Sequence, residues 1–303
     1  MMEKNYHNAV LLKQSIDGLN IKPDGVYVDV TFGGGGHSKE ILKRLGENGR
    51  LFAFDQDADA LKNTIDDDRF VLINENFRYI KRFLRLNGCR KVDGILADLG
   101  VSSHQFDVAE RGFSTRFDAD LDMRMNQDSE KSAFEIINFY DEKSLADLFF
   151  KYGELRGSRG IASKIVEARQ EKEIKTSFEL KKILSTFLPK SKEHKILAQI
   201  FQAIRIEVNE ELDVLKEFLM QTVDLLNNGG RLSVISYHSL EDRLVKRLIQ
   251  KGMFEGEPEK DFYGNFTIPF KKEGKLIVPA VEEIKLNNRA RSARLRIATR
   301  SVK

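Results

Sequence analysis

A single cysteine, Cys89, five prolines and no tryptophan occur in the 303 residues of the chain. One thiol excludes an internal disulfide and any zinc site built on paired thiolates, and it fits a reducing cytosol. The scarcity of proline, with 41% apolar and 32% charged residues, separates the chain from disordered, collagen-like and low-complexity sequences. No run of about 18 apolar residues is present, and the polar opening Met1-Met2-Glu3-Lys4-Asn5-Tyr6-His7 lacks the form of a secretory signal. A cytoplasmic protein with no membrane segment is expected. The five histidines, His7, His37, His104, His194 and His238, are dispersed, so no metal centre is expected either.

The chain is about twice the usual single-domain size, which calls for two units or one large domain with an insertion. Its formal charge is only +3, from 50 basic and 47 acidic residues, but the distribution is uneven. Positions 284–303 hold Lys285, Arg289, Arg291, Arg294, Arg296, Arg300 and Lys303 with no Asp or Glu, so the remainder is mildly acidic. A basic tail on such a body points to a polyanionic partner, with a solvated charged face as the plain alternative.

The first third alternates strand and helix. The β-branched and aromatic run 26–32 breaks into Gly33-Gly34-Gly35-Gly36. A helix follows over 38–45, with Ile41, Leu42 and Leu45 on one face, and Asn48-Gly49 turns into a strand over 50–55. Asp57 caps a short helix carrying Ala58, Leu61 and Ile65; strands over 70–73 and 92–99 follow, separated by a helix over 77–86. Strands separated by helices imply right-handed crossovers and an α/β fold whose parallel sheet has helices on both faces. Beyond Gly100 roughly a hundred residues show helical periodicity alone, over 144–151, 160–170, 178–187 and 195–206. The α/β rhythm resumes with a helix over 210–227, the turn Asn228-Gly229-Gly230, a strand over 231–237 and a helix over 239–250. Weaker strands near 265–270 and at 295–298 end the sheet. The expected division is a discontinuous α/β domain of residues 1–105 and 210–303, interrupted by a helical domain at 106–209.

Glycines between a strand and a helix let the backbone turn tightly and approach a ligand closely, and the helix N-terminus beyond offers free N–H groups to a carboxylate or phosphate. Asp55 ends the second strand about 20 residues on, where a carboxylate accepts hydrogen bonds from the ribose hydroxyls of an adenosine. The dinucleotide fingerprint needs a third glycine at the sixth position, where this chain has Ser38 or Lys39, and no lysine and hydroxyl end a phosphate loop. S-adenosylmethionine, with a carboxylate and no phosphate, is the adenosine cofactor that remains. Two alternatives are carried: an NAD-dependent oxidoreductase, disfavoured by the missing glycine, and a non-catalytic RNA-binding or assembly factor with a relic pocket, disfavoured by the intact loop, Asp55 and Asp98.

The fourth strand ends in Asp98-Leu99-Gly100-Val101-Ser102-Ser103, at the sheet edge where open α/β sheets bind ligands. With His7-Asn8-Ala9-Val10-Leu11-Leu12, the stretch 29–38, Phe54-Asp55-Gln56-Asp57, Arg111-Gly112-Phe113-Ser114 and Leu121-Asp122-Met123-Arg124-Met125, the chain resembles the bacterial MraW (RsmH) family. The resemblance runs on through Tyr152-Gly153-Glu154, the stretches 204–209 and 236–243, and Asn288-Arg289-Ala290-Arg291-Ser292-Ala293-Arg294-Leu295-Arg296, and so spans nearly the whole chain. It implies a class I, Rossmann-like S-adenosylmethionine-dependent methyltransferase with an inserted all-helical domain that recognises RNA. The implied substrate is the N4 amine of a cytidine in the decoding region of 16S ribosomal RNA, and the implied partner is that RNA within the small ribosomal subunit. Cofactor contacts carry over onto Gly35, Gly36, His37, Asp55, Phe77, Asp98 and Gln105. Ala290 departs from the family, which often has proline there.

Methyl transfer to N4 is an in-line displacement in which positioning supplies much of the rate, and an acceptor on the amine protons helps localise a delocalised lone pair. Asp98, Ser102 and Ser103, with Tyr237 or His238 after the fifth strand, are the candidates to hold the base; which of them takes the proton stays open. The target must be single-stranded or extruded from its stack. Arg156, Arg159, Arg289, Arg291, Arg294 and Arg296 are the candidates to hold the RNA backbone, whereas Lys164 and Arg169 read as a solvated face. A homodimer is compatible with the sequence.

Overall fold

The computed structural model describes residues 9–259, 262–263 and 268–301. Among these, seven strands form one sheet: β1 (Val26–Asp29), β2 (Arg50–Phe54), β3 (Phe70–Ile73), β4 (Val92–Asp98), β5 (Leu226–Ser236), β6 (Phe270–Ile277) and β7 (Arg294–Arg300). Their order is β3-β2-β1-β4-β5-β7-β6, with β1 to β5 parallel and β7 antiparallel to both β5 and β6.

Side-chain alternation along the central strands explains why both faces are covered. Tyr27, Leu51 and Ala53 point into one core with the helices Leu12–Leu19 and Gly36–Arg44. Val28, Phe52 and Phe54 point into the other, with the helices Ile80–Leu86, Glu211–Leu225 and Ser239–Lys251. Strands buried on both faces read as continuous apolar runs, as these do. Gly94 of β4 lies under the Tyr27 ring, where a Cβ would come within 2.7 Å of two ring carbons. The Tyr27 hydroxyl accepts the Lys22 N–H at 2.7 Å, tying the entry loop to the sheet.

Three expectations change. The turn at Asn228-Gly229-Gly230 lies inside β5: Leu226 pairs with Val92, the chain bulges, and pairing resumes at Arg231 with Gly94. The sixth strand starts at Phe270, and residues 264–267 lie outside the described set. The helices Leu12–Leu19, Ala133–Phe139 and Val281–Leu286 escape the periodicity because each spans about two turns. Among the described residues no helix is long and apolar enough to cross a membrane.

The chain divides into two compact units, Met1–Gly100 with Asp213–Lys303, and Val101–Leu212. The first boundary falls five residues before the expected one, because the helix Ser103–Asp107 contributes Phe106 to the insert's own core. That core gathers Leu145, Phe149, Ile161, Ile165, Leu180, Leu184, Ile200 and Ile204 from the helices Glu142–Lys151, Ser158–Glu171, Ser177–Ser185 and Glu193–Val208. The second boundary falls in the first turn of Glu211–Leu225.

Candidate active site

Three carboxylates stand at the carboxyl ends of three adjacent strands. Asp29 ends β1 and Asp98 ends β4, while Asp55 follows β2 directly. Asp29 is fully buried and serves the loop beyond it: its Oδ1 accepts the Thr31 N–H at 3.1 Å and its Oδ2 accepts the Ser38 hydroxyl at 2.7 Å. Thr31 in turn accepts the Asp98 N–H on its hydroxyl oxygen at 2.7 Å, so β1 and β4 are tied where the loop begins. Asp55 braces the loop from the other side, accepting the Gly33 N–H at 2.8 Å and the Asp57 N–H at 2.9 Å.

The loop is built for a close neighbour. Gly33 and Gly35 have φ of 51° and 74°, the left-handed region that glycine enters without steric cost. No atom lies within 4 Å of where a Cβ at Gly33 or Gly34 would stand, whereas a Cβ at Gly36 would meet the Ala9 Cβ at 2.9 Å. The helix Gly36–Arg44 starts without a side-chain cap among the described residues, leaving its first N–H groups to a ligand. His37 is buried in its first turn, with Nε2 3.2 Å from the Val10 carbonyl and Nδ1 3.9 Å from Asp98 Oδ2. Burial pushes the imidazole below its ordinary range, so it is neutral near pH 7, and the Val10 carbonyl places its proton on Nε2.

Burial pushes the carboxyls of Asp29, Asp55 and Asp98 up to about 6, and the Asp29 charge adds to the rise at Asp55 and Asp98. At Asp98 this is opposed by the positive charge His37 carries once it is protonated, at pH below its lowered titration, and by the Tyr237 hydroxyl, which donates to Oδ1 at 2.8 Å. The same burial and the Asp98 charge raise the Tyr237 phenol well above its ordinary range, so it remains a donor. Tyr237 is held by Glu241, whose Oε2 accepts the N–H groups of Tyr237 at 2.8 Å and His238 at 3.2 Å. The strand ends are therefore acidic and internally hydrogen-bonded, and they lie beside a helix start without a side-chain cap.

A family model described as the MraW methylase family matches residues 4–301. The chain belongs to the MraW methylase family. Among relatives named ribosomal RNA small subunit methyltransferase H, the one from Flavobacterium johnsoniae is 69% identical over 293 residues, covering 97% of each chain. The one from Parabacteroides distasonis is 55% identical over 302 residues, covering 98% of this chain and 99% of its own. A solved rRNA methylase from Streptococcus thermophilus aligns over 100% of this chain and 99% of its own with 13% identity and a TM-score of 0.43.

Several side chains expected at the site of this MraW-family methylase have structural employment. Phe77 is half-buried and edge-on to Phe218, with centroids 5.2 Å apart. Ser102 and Gln105 form a capping box on the helix Ser103–Asp107: the Ser102 hydroxyl accepts the Gln105 N–H at 3.2 Å, and Gln105 Oε1 accepts the Ser102 N–H at 3.1 Å. Ser103 opens that helix, and its side chain lies outside the described set. His238 caps Ser239–Lys251, its Nδ1 accepting the Glu241 N–H at 3.4 Å and its Nε2 3.2 Å from Glu241 Oε1.

The methylase's arginines separate by environment. Arg156 and Arg159 are exposed on the insert, and Arg291 is exposed near the end of the chain. Arg289 is half-buried beside Ala290, which is fully buried in the short helix Asn288–Ser292 where the family often has proline. Arg296 has a partner within the fold: its guanidinium grips Asp242 through two bonds of 2.7 and 3.0 Å, with both side chains largely buried. Arg294 pairs with the same carboxylate at 3.2 Å and is half exposed. Arg169 donates to the carbonyls of Ile137 and Tyr140, and Lys164 pairs with Glu167.

Asp29, Thr31 and Glu241 add to the site beyond the expected residues, and their marks in the sequence are an acid and a threonine in the four residues before the glycine loop and a Glu three residues after a helix-capping His. Stretches of the insert that carry the resemblance also build its frame. Asn209 accepts the Met125 N–H at 2.7 Å and donates to the Met123 carbonyl at 2.8 Å, and Arg111 donates to the carbonyls of Arg124 and Met125.

Proposed function

We propose that the protein is an S-adenosylmethionine-dependent methyltransferase that modifies the N4 amine of a cytidine in the decoding region of 16S ribosomal RNA. The observation that carries the cofactor is the acidic floor. Three carboxylates at adjacent strand ends, with proton affinities raised by burial and, at Asp55 and Asp98, by the Asp29 charge, favour a ligand bearing positive charge, and they oppose a pyrophosphate. S-adenosylmethionine carries a sulfonium and an ammonium, and its one carboxylate suits the uncapped N–H groups of Gly36–Arg44. The same charge argument counts against the NAD-dependent alternative.

When bound, the cofactor supplies an electrophilic methyl group on a positively charged sulfur. On this reading Asp98 takes the ammonium and Asp55 the ribose, the open side of the loop at Gly33 and Gly34 admits the cofactor to the backbone of Gly35 and Gly36, and His37 is a neutral wall between Val10 and Asp98. On the same reading Phe77 flanks the adenine and Gln105 is a further cofactor contact. Tyr237 holds the Asp98 carboxylate in orientation and keeps it ionised. Ser102, Ser103 and His238 are the candidates to contact the acceptor amine and take its proton. The exposed Arg156 and Arg159 of the insert, the exposed Arg291 and Arg294 and the half-buried Arg289 supply positive charge toward RNA.

The test is transfer of labelled methyl from S-adenosylmethionine to small ribosomal subunits and to naked 16S rRNA from cells lacking the activity, followed by nucleoside analysis. Label in N4-methylcytidine is expected. Saturable cofactor binding with no labelled nucleoside from either acceptor overturns the reading in favour of a non-catalytic assembly factor.

A further inference from the structure

The sheet edge opposite the carboxylates carries a second concavity. Lys91 directly precedes β4, whose last residue is Asp98, and a strand of this length at about 3.3 Å per residue separates the two by roughly 20 Å. Around Lys91 lies an open cleft of about 720 Å³ lined by five cations, Lys81, Arg85, Arg90, Lys91 and Arg300, against one acid, Asp224. Arg300 reaches this edge because β7 runs antiparallel, its neighbour Thr299 pairing with Arg231 and Arg231's turn of β5 with Gly94.

Part of the lining is fixed in place. Lys91 Nζ donates to the Asp224 carbonyl at 2.7 Å, Lys81 pairs with the Asp224 carboxylate, and Arg300 donates to the carbonyls of Val223 at 2.8 Å and Pro269 at 2.9 Å. Lys81 foremost, with Lys91 and Arg300, holds the Asp224 carboxyl below its usual range, a direct sign of local positive potential. Arg85 and Arg90 are exposed, and neither has an ion pair among the described residues. Charges spread over a helix, a loop and a strand end suit successive phosphates better than one small anion. No aromatic ring lines the cleft, so base stacking is absent and contact is to backbone alone.

We propose that this cleft is a second docking surface for the RNA backbone, seating phosphates distant from the reacting base on the far edge of the sheet. It rests on the RNA substrate of the reading above and extends it to a position-holding, sequence-independent contact. The experiment compares full-length Arg85→Ala/Arg90→Ala with wild type and with Lys22→Ala/Lys43→Ala, which removes two exposed lysines elsewhere. Binding of a 16S rRNA fragment is followed across a salt series, beside cofactor affinity and methylation kinetics. Two lost single-strand phosphate contacts make the slope of log K against log salt shallower by about 1.4 and weaken binding roughly tenfold. Cofactor affinity and kcat stay at wild-type values while KM for RNA rises. A slope equal to that of the lysine control overturns the proposal, as does binding of phosphatidylserine vesicles with no RNA effect. A changed slope in a protein that methylates no RNA supports the cleft and overturns the functional reading instead.

Discussion

Replacing Tyr237 by Phe removes one oxygen from the pocket, and the effect of that loss is expected to depend on pH. The hydroxyl donates to Asp98 Oδ1 at 2.8 Å and is one of two groups opposing the burial that pushes this carboxyl up to about 6. A hydrogen bond to a charged group is worth about 1.5–3 kcal/mol. The Asp98 side chain is 20% exposed, so water recovers part of this, and the proton affinity is expected to rise about tenfold, or about 1.4 kcal/mol. The ammonium of the cofactor needs the ionised carboxylate, so affinity falls as pH falls through the Asp98 titration. At pH 7 the ionised fraction drops from about nine-tenths to about one-half, and at pH 6 from about one-half to under one-tenth. Calorimetric binding of S-adenosylmethionine is therefore expected to weaken about twofold at pH 7 and about fivefold at pH 6, converging with wild type above about pH 8.5. A weakening independent of pH, or none at all, would refute the coupling of Tyr237 to the charge on Asp98.

Three further outcomes are expected. The folded Asp29 carboxyl titrates near 6 against 3.8 unfolded, so the folded state holds an extra proton between pH 4 and 6 and stability falls as pH rises through that window. Asp29→Asn flattens this dependence by about 1.3 kcal/mol between pH 5 and 7, read from urea midpoints of the ligand-free protein at those two values; an unchanged difference contradicts the burial argument. Asp242→Ala strands the buried Arg296 guanidinium and costs roughly 3–5 kcal/mol, whereas Arg294→Ala, at a half-exposed position, costs under about 1 kcal/mol; the reverse order in urea unfolding would be incompatible with the pairing. Ser102→Ala loses a helix cap worth about 1 kcal/mol, which Ser102→Asn restores; loss of turnover that Asn does not rescue identifies Ser102 as a group acting on substrate instead.

Local signals carried the first hundred residues well. The apolar run ahead of the glycines, Gly46 after the helix and Asp57 as a cap are all statements about neighbours within a few residues, and the structure repeats them, with Asp57 accepting the Asp59 N–H at 3.1 Å. The end of the sheet was only loosely placed because β7 takes its position between β5 and β6 through pairing with a strand about 60 residues earlier, which no local pattern encodes. The pocket was half legible. The glycines and Asp55 announce themselves by spacing, but the burial of Asp29 depends on the helices that cover β1. Arg294 and Arg296 alternate as phosphate-binding side chains would, yet Asp242, 54 residues from Arg296, takes up the second. At Ser102 and His238 a hydroxyl and an imidazole near a strand end suggested chemistry, while an amide or carboxylate three residues later was the equally local mark of a cap.

The bulged pairing of β5 with β4 has a bearing on how the chain is made. β4 is finished at Asp98, but its partner begins only at Leu226, about 130 residues later, and β7 follows later still. At synthesis rates of about 5–20 residues per second, a half-sheet of four strands waits roughly 6–26 seconds with the backbone N–H and C=O groups along one edge of β4 unpaired. The helical insert, whose core is made from its own residues, is completed within that interval and is free to fold first. An unpaired edge of this kind is a template for joining another chain. The nascent protein is thus most exposed to aggregation while its second domain is being synthesised, and slow translation across that stretch lengthens the hazard in direct proportion.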